Sequence, residues 1–395
     1  MWRREGGRVQ TTLRHGTTSP LPGQRTEFDI PDGVAYLNCA YMAPQPRRVT
    51  EAGIASVQRK QRPWGLGPKD FFDDLERLRM LFAQLIHGDA DGVAVVPAAS
   101  YALSTAAANA SASAGDRIVV LAEQYPSNVY PWRELAQRSG ATVVAVERPD
   151  DGDWTHAVVE AIDDRTVAVA VPNCHFMTGA LIDVAMIGRA ARGIGALFIV
   201  DVTQSLGVLP LHVDDVGADM VVAAGYKWLV GPYSLGYAWM APHCRDWRPL
   251  EHHWAGREGS ENFARLTSYT DAFRPGARRF DGGEASNFVL VPMALAALEM
   301  VAEWSVERVA ATVGPLSAAV LDGAAALGLS PHVGPRAGHI VGLRLPVGSP
   351  DAVVHRLAQA QVHVSLRGDN LRVSPYVYNT DDDVARLLET LRAVL

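Results

Sequence analysis

Ala196-Leu197-Phe198-Ile199-Val200-Asp201 is a short apolar run that stops on a carboxylate, and Gln204 stands three residues beyond it. A second run, Met220-Val221-Val222-Ala223-Ala224, leads into Gly225-Tyr226-Lys227-Trp228, with Gly231-Pro232 just after. Apolar runs of this length, bounded by turn residues, read as buried strands. Each strand delivers a charged group at its carboxyl end: Asp201 from the first and, 26 residues later, Lys227 from the second.

The same pattern repeats on the N-terminal side. Short β-branched runs at 93–96, 118–121, 142–146, 167–171, 197–200 and 220–223 alternate with helix-length segments such as 130–138 and 184–194. This alternation predicts an α/β fold, a mostly parallel sheet sandwiched by helices. In such sheets ligands collect at the carboxyl ends of strands. Asp201, Asn173, Ser100 and Tyr125 all stand just after such runs.

Further upstream, Tyr36-Leu37-Asn38 reads as a short strand, and Ala43-Pro44-Gln45-Pro46 as a turn into a helix. Apolar residues from Phe71 to Ile86 recur at three and four, predicting an amphipathic helix that ends at Gly88. Segment 249–287 has no regular period. A helix at 291–304 then leads to further helices and strands at 317–327, 339–345, 351–361, 371–375 and 381–395. The expected organisation is a flexible arm over 1–30 and a large domain over 31–289, with 31–60 contributing to the small lobe. A smaller α+β domain follows over 290–395.

Of 395 residues, 48% are hydrophobic and 20% charged, as in soluble globular proteins, and the length suits two lobes. The net charge of −7 gives no electrostatic reason to expect nucleic acid or an anionic membrane as partner. Cys39, Cys174 and Cys244 never stand in a Cys-x-x-Cys spacing, which argues against a disulfide framework or structural zinc and fits a reducing cytoplasm. Arg3, Arg4, Arg8 and Arg14 precede no apolar core, so no secretory signal is expected. The longest apolar stretch, 288–304, holds Pro292, Glu299 and Glu303 and reads as a core helix, not a membrane span.

A carboxylate and a lysine at neighbouring strand ends are what pyridoxal phosphate (PLP) chemistry requires. The Lys227 amine forms the Schiff base and moves the proton of the substrate Cα. Asp201 keeps the pyridine nitrogen protonated, because an opposite charge favours the charged form. Most lysines are surface groups, but the place of Lys227 between an apolar strand and a Trp/Gly/Pro turn disfavours that reading, and Asp201 alone reads equally as a helix cap or as the ring-nitrogen partner. Their pairing is the signal. No Gly-x-Gly-x-x-Gly follows an early strand, which disfavours a dinucleotide-dependent dehydrogenase.

The run Asp201-Val202-Thr203-Gln204 with Gly225-Tyr226-Lys227-Trp228 and Gly231-Pro232 resembles the class V aminotransferase group of fold-type I PLP enzymes. That group includes cysteine desulfurases, kynureninases and isopenicillin-N-epimerase-like proteins. Segments 123–128, 279–287, 371–375 and 378–380 look like the same group, and the resemblance spans about 34–395. It implies that Tyr125 stacks on the cofactor ring and that Gln204 and Asn173 bond its phenolate oxygen. It places the phosphate at Ala99 and Ser100, where a helix N-terminus offers amides, with Tyr226 replacing a lost contact. Ser286 and Asn287 resemble the segment that reaches the phosphate of a second subunit, which implies a homodimer with shared active sites. Arg372 is the clamp for a substrate carboxylate, with Arg367 the lesser alternative.

The chain departs from the group's pattern in places. Ala224, Gly225 and Tyr226 stand where relatives often carry Ser and His, and Tyr125 where desulfurases have His. Segment 362–370 lacks the mobile cysteine of desulfurases. The expectation is therefore Schiff-base chemistry at Cα of a small-molecule amino acid, most simply aminotransferase-type, and not persulfide-forming desulfuration. The alternatives are a C–S β-lyase on a cysteine S-conjugate, an epimerase, or a PLP-fold protein that only binds. His252-His253-Trp254 has no partner at ligand spacing, so no metal is expected. That loop, His175 and Arg257 read as pocket surroundings, and the aromatic content of 247–263 points to a specialised, secondary-metabolic substrate.

Overall fold

The computed structural model describes residues 18–345 and 350–395. Its central sheet has seven strands: β1 (Val93–Val96), β2 (Arg117–Leu121), β3 (Thr142–Val146), β4 (Thr166–Pro172), β5 (Leu197–Asp201), β6 (Met220–Ala224) and β7 (Gly236–Met240). Their order is β1-β7-β6-β5-β4-β2-β3. β7 runs antiparallel to both neighbours and all other pairs are parallel. The mostly parallel α/β sheet read from the sequence is the one observed. β7, in contrast, is an addition: its apolar Tyr237-Ala238-Trp239-Met240 follows a Gly-Pro-Tyr-Ser stretch that reads as loop.

β6 and β7 are buried at every position, which is why they are continuous apolar runs and not alternating ones. Helices Ala99–Asn109, Tyr130–Ser139, Trp154–Ala161 and Val184–Gly193 connect the strands. Asp183 caps the last of these by accepting the Met186 amide at 2.9 Å. Crossovers of this kind leave the carboxyl ends of β4, β5 and β6 on one rim of the sheet, where Asn173, Asp201 and Lys227 emerge.

A second, antiparallel sheet holds strands 330–331, Val341–Arg344, Ser365–Arg367 and Asn370–Val373. Leu316, Val320, Leu343, Leu357, Leu371 and Leu387 form its separate apolar core, which also takes in Ala35 and Leu37. Ala35–Tyr36 pairs in parallel with Val362–His363, tying the start of the chain to this lobe. Helix Leu290–Trp304 buries its apolar residues in the larger core. Among the described helices, Val306–Ala326 is the one long and apolar enough by length and composition to cross a membrane.

Of the arm expected over 1–30, residues 1–17 lie outside the described residues. Residues 18–30 are anchored at several points. Leu21 and Phe28 are buried, the Leu21 amide donates to Thr312 Oγ1 at 2.8 Å, and Arg25 pairs with Asp383 at 3.1 Å.

Candidate active site

A cavity of about 330 Å³ opens where β1, β4, β5 and β6 end. Ala99, Ser100, Tyr125, Asp201, Gln204, Tyr226 and Lys227, all singled out in the sequence, line it together, as does His175. Cys174, Phe176, Thr203, Tyr233 and Ser234 also line it and were not singled out as site residues. They lie on loops, where sequence periodicity carries no information.

Lys227 follows β6 into a tight turn. The Val230 amide donates back to the Lys227 carbonyl at 3.0 Å, and Gly231 to the Gly225 carbonyl at 2.8 Å. The lysine is 5% exposed, and its Nζ lies 5.2 Å from the ring centre of Tyr125 and 5.7 Å from that of Tyr226. Burial, then the positive charge of Arg372, pull its pKa down to about 8, against the opposing influence of Asp201. Asp201 is buried and accepts the Thr203 amide at 2.9 Å. Burial pushes its pKa up, while the contacts with Thr203 and the charge of Lys227 work the other way.

Gln204 locks the two strand ends together. Its Oε1 accepts from Trp228 Nε1 at 3.0 Å and its Nε2 donates to the Ala40 carbonyl at 3.1 Å. That leaves one amide hydrogen on Nε2 for the cavity. Gly207, at φ +99°, closes this loop, and a Cβ there would sit 2.6 Å from the Trp228 carbonyl oxygen. Only glycine lets the Gln204 and Lys227 turns approach so closely.

Helix Ala99–Asn109 starts at the opposite wall. Ala98 at its N-cap makes no side-chain cap; the Tyr101 amide bonds back to the Ala98 carbonyl at 3.1 Å, and the Ala99 and Ser100 amides are left for another acceptor. Tyr226 stands beside Tyr233, ring centres 4.7 Å apart, and burial raises its phenol to about 12. Tyr125 is partly exposed, with its ring edge-on to Phe176 at 5.5 Å.

The remaining expected residues lie outside the cavity wall. The Asn173 side-chain oxygen accepts from Ser205 Oγ at 2.5 Å. Arg372 is 1% exposed; its Nη1 donates to the Phe176 carbonyl at 2.7 Å, while Nε and Nη2 are buried without a partner. Burial, then Arg367, draw its pKa down to about 9. The Asn287 side-chain oxygen accepts the Val289 and Leu290 amides at 3.0 and 2.9 Å, capping helix Leu290–Trp304, and neither it nor Ser286 reaches this chain's own cavity.

His175 lines the cavity as a neutral ring. Burial takes its pKa down to about 4, its Nε2 lies 3.1 Å from the Glu123 carbonyl oxygen, and it stacks on Trp154. His252, His253 and Arg257 line a different, open cavity of about 610 Å³ together with Tyr269. Among the described residues, Asp219, His243 and Cys244 group donor atoms suited to a metal ion, at the amino end of β6 and away from Lys227. Asp219 is already engaged there by His243 at 2.6 Å and by the Phe198 amide at 2.6 Å.

Comparison with known proteins places the fold and the family. The chain is similar in fold to a mutant of C-DES with glycine covalently linked to its PLP cofactor, with a TM-score of 0.85, 19% identity and coverage of 94% of this chain and 99% of that one. It is 27% identical to an uncharacterized aminotransferase, YcbU, of Bacillus subtilis (strain 168), covering 83% of this chain and 86% of the relative. It is 28% identical to a probable cysteine desulfurase of Aeropyrum pernix, covering 94% and 97%. The family model described as aminotransferase class-V matches residues 55–387. The chain therefore belongs to the class-V aminotransferase family, with pyridoxal 5'-phosphate as its cofactor.

Proposed function

We propose that this PLP-dependent protein works at the Cα of an α-amino acid and transfers its amino group. The observation that carries the reading is the buried Lys227 amine, with its pKa held near 8, sharing one cavity with the Asp201 carboxyl. An exposed lysine is almost wholly protonated near neutrality; this one has a substantial neutral fraction and is a competent nucleophile toward an aldehyde.

The residues present fit the cofactor. Asp201 would hold the ring nitrogen, Tyr125 the ring face, Gln204 the ring oxygen, and the first turn of helix Ala99–Asn109 with Ser100 and Tyr226 the phosphate. When bound, PLP supplies the aldehyde for the Schiff base and an electron-withdrawing ring. Lys227 Nζ, buried within the cavity, would take and return the Cα proton. Asn173, tied to Ser205, acts by positioning the loop that carries His175 and Phe176. Arg372 stands behind the cavity wall, close enough for its charge to act on Lys227 and with two buried donors unpartnered, and would bind the substrate carboxylate and so fix Cα relative to Lys227. Ser286 and Asn287 would serve the site of a second copy.

Persulfide-forming desulfuration is disfavoured. Cys174 does line the cavity, but burial pushes its thiol up to about 12, and the thiolate is the reactive form. Its neighbour His339, 3.9 Å away, points Nε2 at the Gln204 carbonyl oxygen at 2.6 Å and so has no lone pair there to take the thiol proton.

Product analysis after incubation with an amino-acid panel tests the reading. A 2-oxo acid with pyridoxamine phosphate is the expected outcome. Pyruvate, ammonia and a thiol would replace it by β-elimination, and inverted substrate by epimerisation. A colourless protein that takes up no PLP would overturn enzymatic function altogether.

A further inference from the structure

The hairpin of strands Ser365–Arg367 and Asn370–Val373 sets two arginines on one face. Ser365 pairs with Arg372 and Arg367 with Asn370. Paired residues project to the same face, so Arg367 and Arg372 share a face as diagonal neighbours, about 7–8 Å apart at their roots. That hairpin lies against the loop that lines the cavity. Arg372 donates to the Phe176 carbonyl at 2.7 Å, and a Cβ on Gly368, at the hairpin turn, would meet Met177 Cε at 3.4 Å.

Neither arginine has an acidic partner within salt-bridge reach among the described residues. Arg372 keeps two buried nitrogens unpartnered. Arg367 uses Nη1 on the adjacent Leu366 carbonyl at 2.7 Å, and its guanidinium carbon lies 6.0 Å from the ring centre of Tyr41, itself 53% exposed. Like charges placed this close destabilise the site unless an anion arrives. One α-carboxylate satisfies one fork and leaves the other. Arg367 also acts on Lys227, which therefore senses two guanidinium groups against the single carboxylate of Asp201.

We propose that Arg367, over the ring of Tyr41, is a second anion-binding position of the substrate site, so that the preferred amino acid carries an anionic group on its side chain as well as its α-carboxylate. This rests on the reading of Lys227 and Arg372 given above and names the substrate class it leaves open. The rival reading is that Arg367 packs on Tyr41 and is otherwise solvated.

Amine-free analogues separate the two, because they bind without reacting. Succinate, glutarate, their monoamides and 3-phosphonopropionate are titrated calorimetrically into the PLP-loaded protein. At least one dianion is expected to bind about tenfold or more tightly than the corresponding monoamide. A carboxylate or a phosphonate giving the larger preference identifies the side-chain anion. Arg367→Gln should abolish the preference while retaining monoamide affinity, and Arg372→Gln should weaken every ligand. Equal binding of diacids and monoamides by the native protein, or an undiminished preference in Arg367→Gln, overturns the proposal. Failure of the enzyme reading shows separately, as the absence of a borohydride-fixed cofactor on Lys227.

Discussion

Asp201 and Lys227 pull each other toward their charged forms inside one cavity, and burial outweighs both. The lysine is left with a pKa of about 8, and its neutral fraction rises as pH climbs through that value. Capture of PLP by the apo-protein requires the neutral amine. Its rate constant, followed by stopped-flow absorbance, should increase with pH up to about 8 and level off above it. A pH-independent rate across that range would remove the low pKa from the account.

The same depressed pKa has a stability consequence in the apo-protein. Between about 8 and the ordinary lysine value of 10.5, the folded chain binds fewer protons at Lys227 than the unfolded chain does. Stability from this group therefore rises with pH over that window, and its full cost is present below it. That cost is on the order of 3 kcal/mol from the size of the shift. Apo Lys227→Met should unfold at higher urea than apo native protein at neutral pH, and the gap should close as pH passes about 10. A gap that is constant with pH would assign the difference to packing.

Asp201→Asn keeps the shape of the side chain and removes its charge. Lys227 should still capture the cofactor, while turnover falls by about 10²-fold or more, because charge stabilisation at the ring is lost. Asp201→Glu should recover part of it. Unchanged turnover in Asp201→Asn would show that this carboxylate has no part in the chemistry.

Arg372→Ala should weaken an α-amino acid by about 2–4 kcal/mol in kcat/KM, and amines without the carboxylate far less. Lysine in its place restores charge but not the two-pronged geometry, so Arg372→Lys should rescue only in part. Comparable losses on both substrate types would mean that Arg372 only supports the Phe176 loop.

What the sequence makes legible, and what it hides, follows from the range of the interactions. β4, β5 and β6 are marked by nearly uninterrupted apolar runs because both faces of each strand are covered, and Asp201 and Lys227 are conspicuous because a charge closes or soon follows each of two such runs. The Ala98-Ala99-Ser100 turn is legible for the same reason: small residues open a helix directly after a strand. Phe176, Thr203 and Cys174 reach the cavity through loop geometry, which no local period encodes. Arg79 is harder still. It occupies what reads as an ordinary charged position of the amphipathic helix, yet it is 0% exposed because Asp281, far along the chain, folds back onto it.

That contact bears on the last expectation. Asp281 accepts from Arg79 Nη1 at 3.1 Å and from the Val95 amide at 2.8 Å, anchoring segment 279–287 to the start of the sheet. The anchor fixes the base of a turn whose tip, at Ser286 and Asn287, does not face its own cavity. A second copy is the occupant that would use it. Light scattering should report a dimer. Co-expression of Lys227→Ala with the double variant Ser286→Ala/Asn287→Ala should yield hybrid dimers with activity that neither parent has, since one of the two sites then carries both an intact lysine and an intact partner segment. The double variant must be checked for folding, because loss of the Asn287 cap costs about 1 kcal/mol. A folded double variant with full activity, or a stable active monomer, would end the shared-site reading.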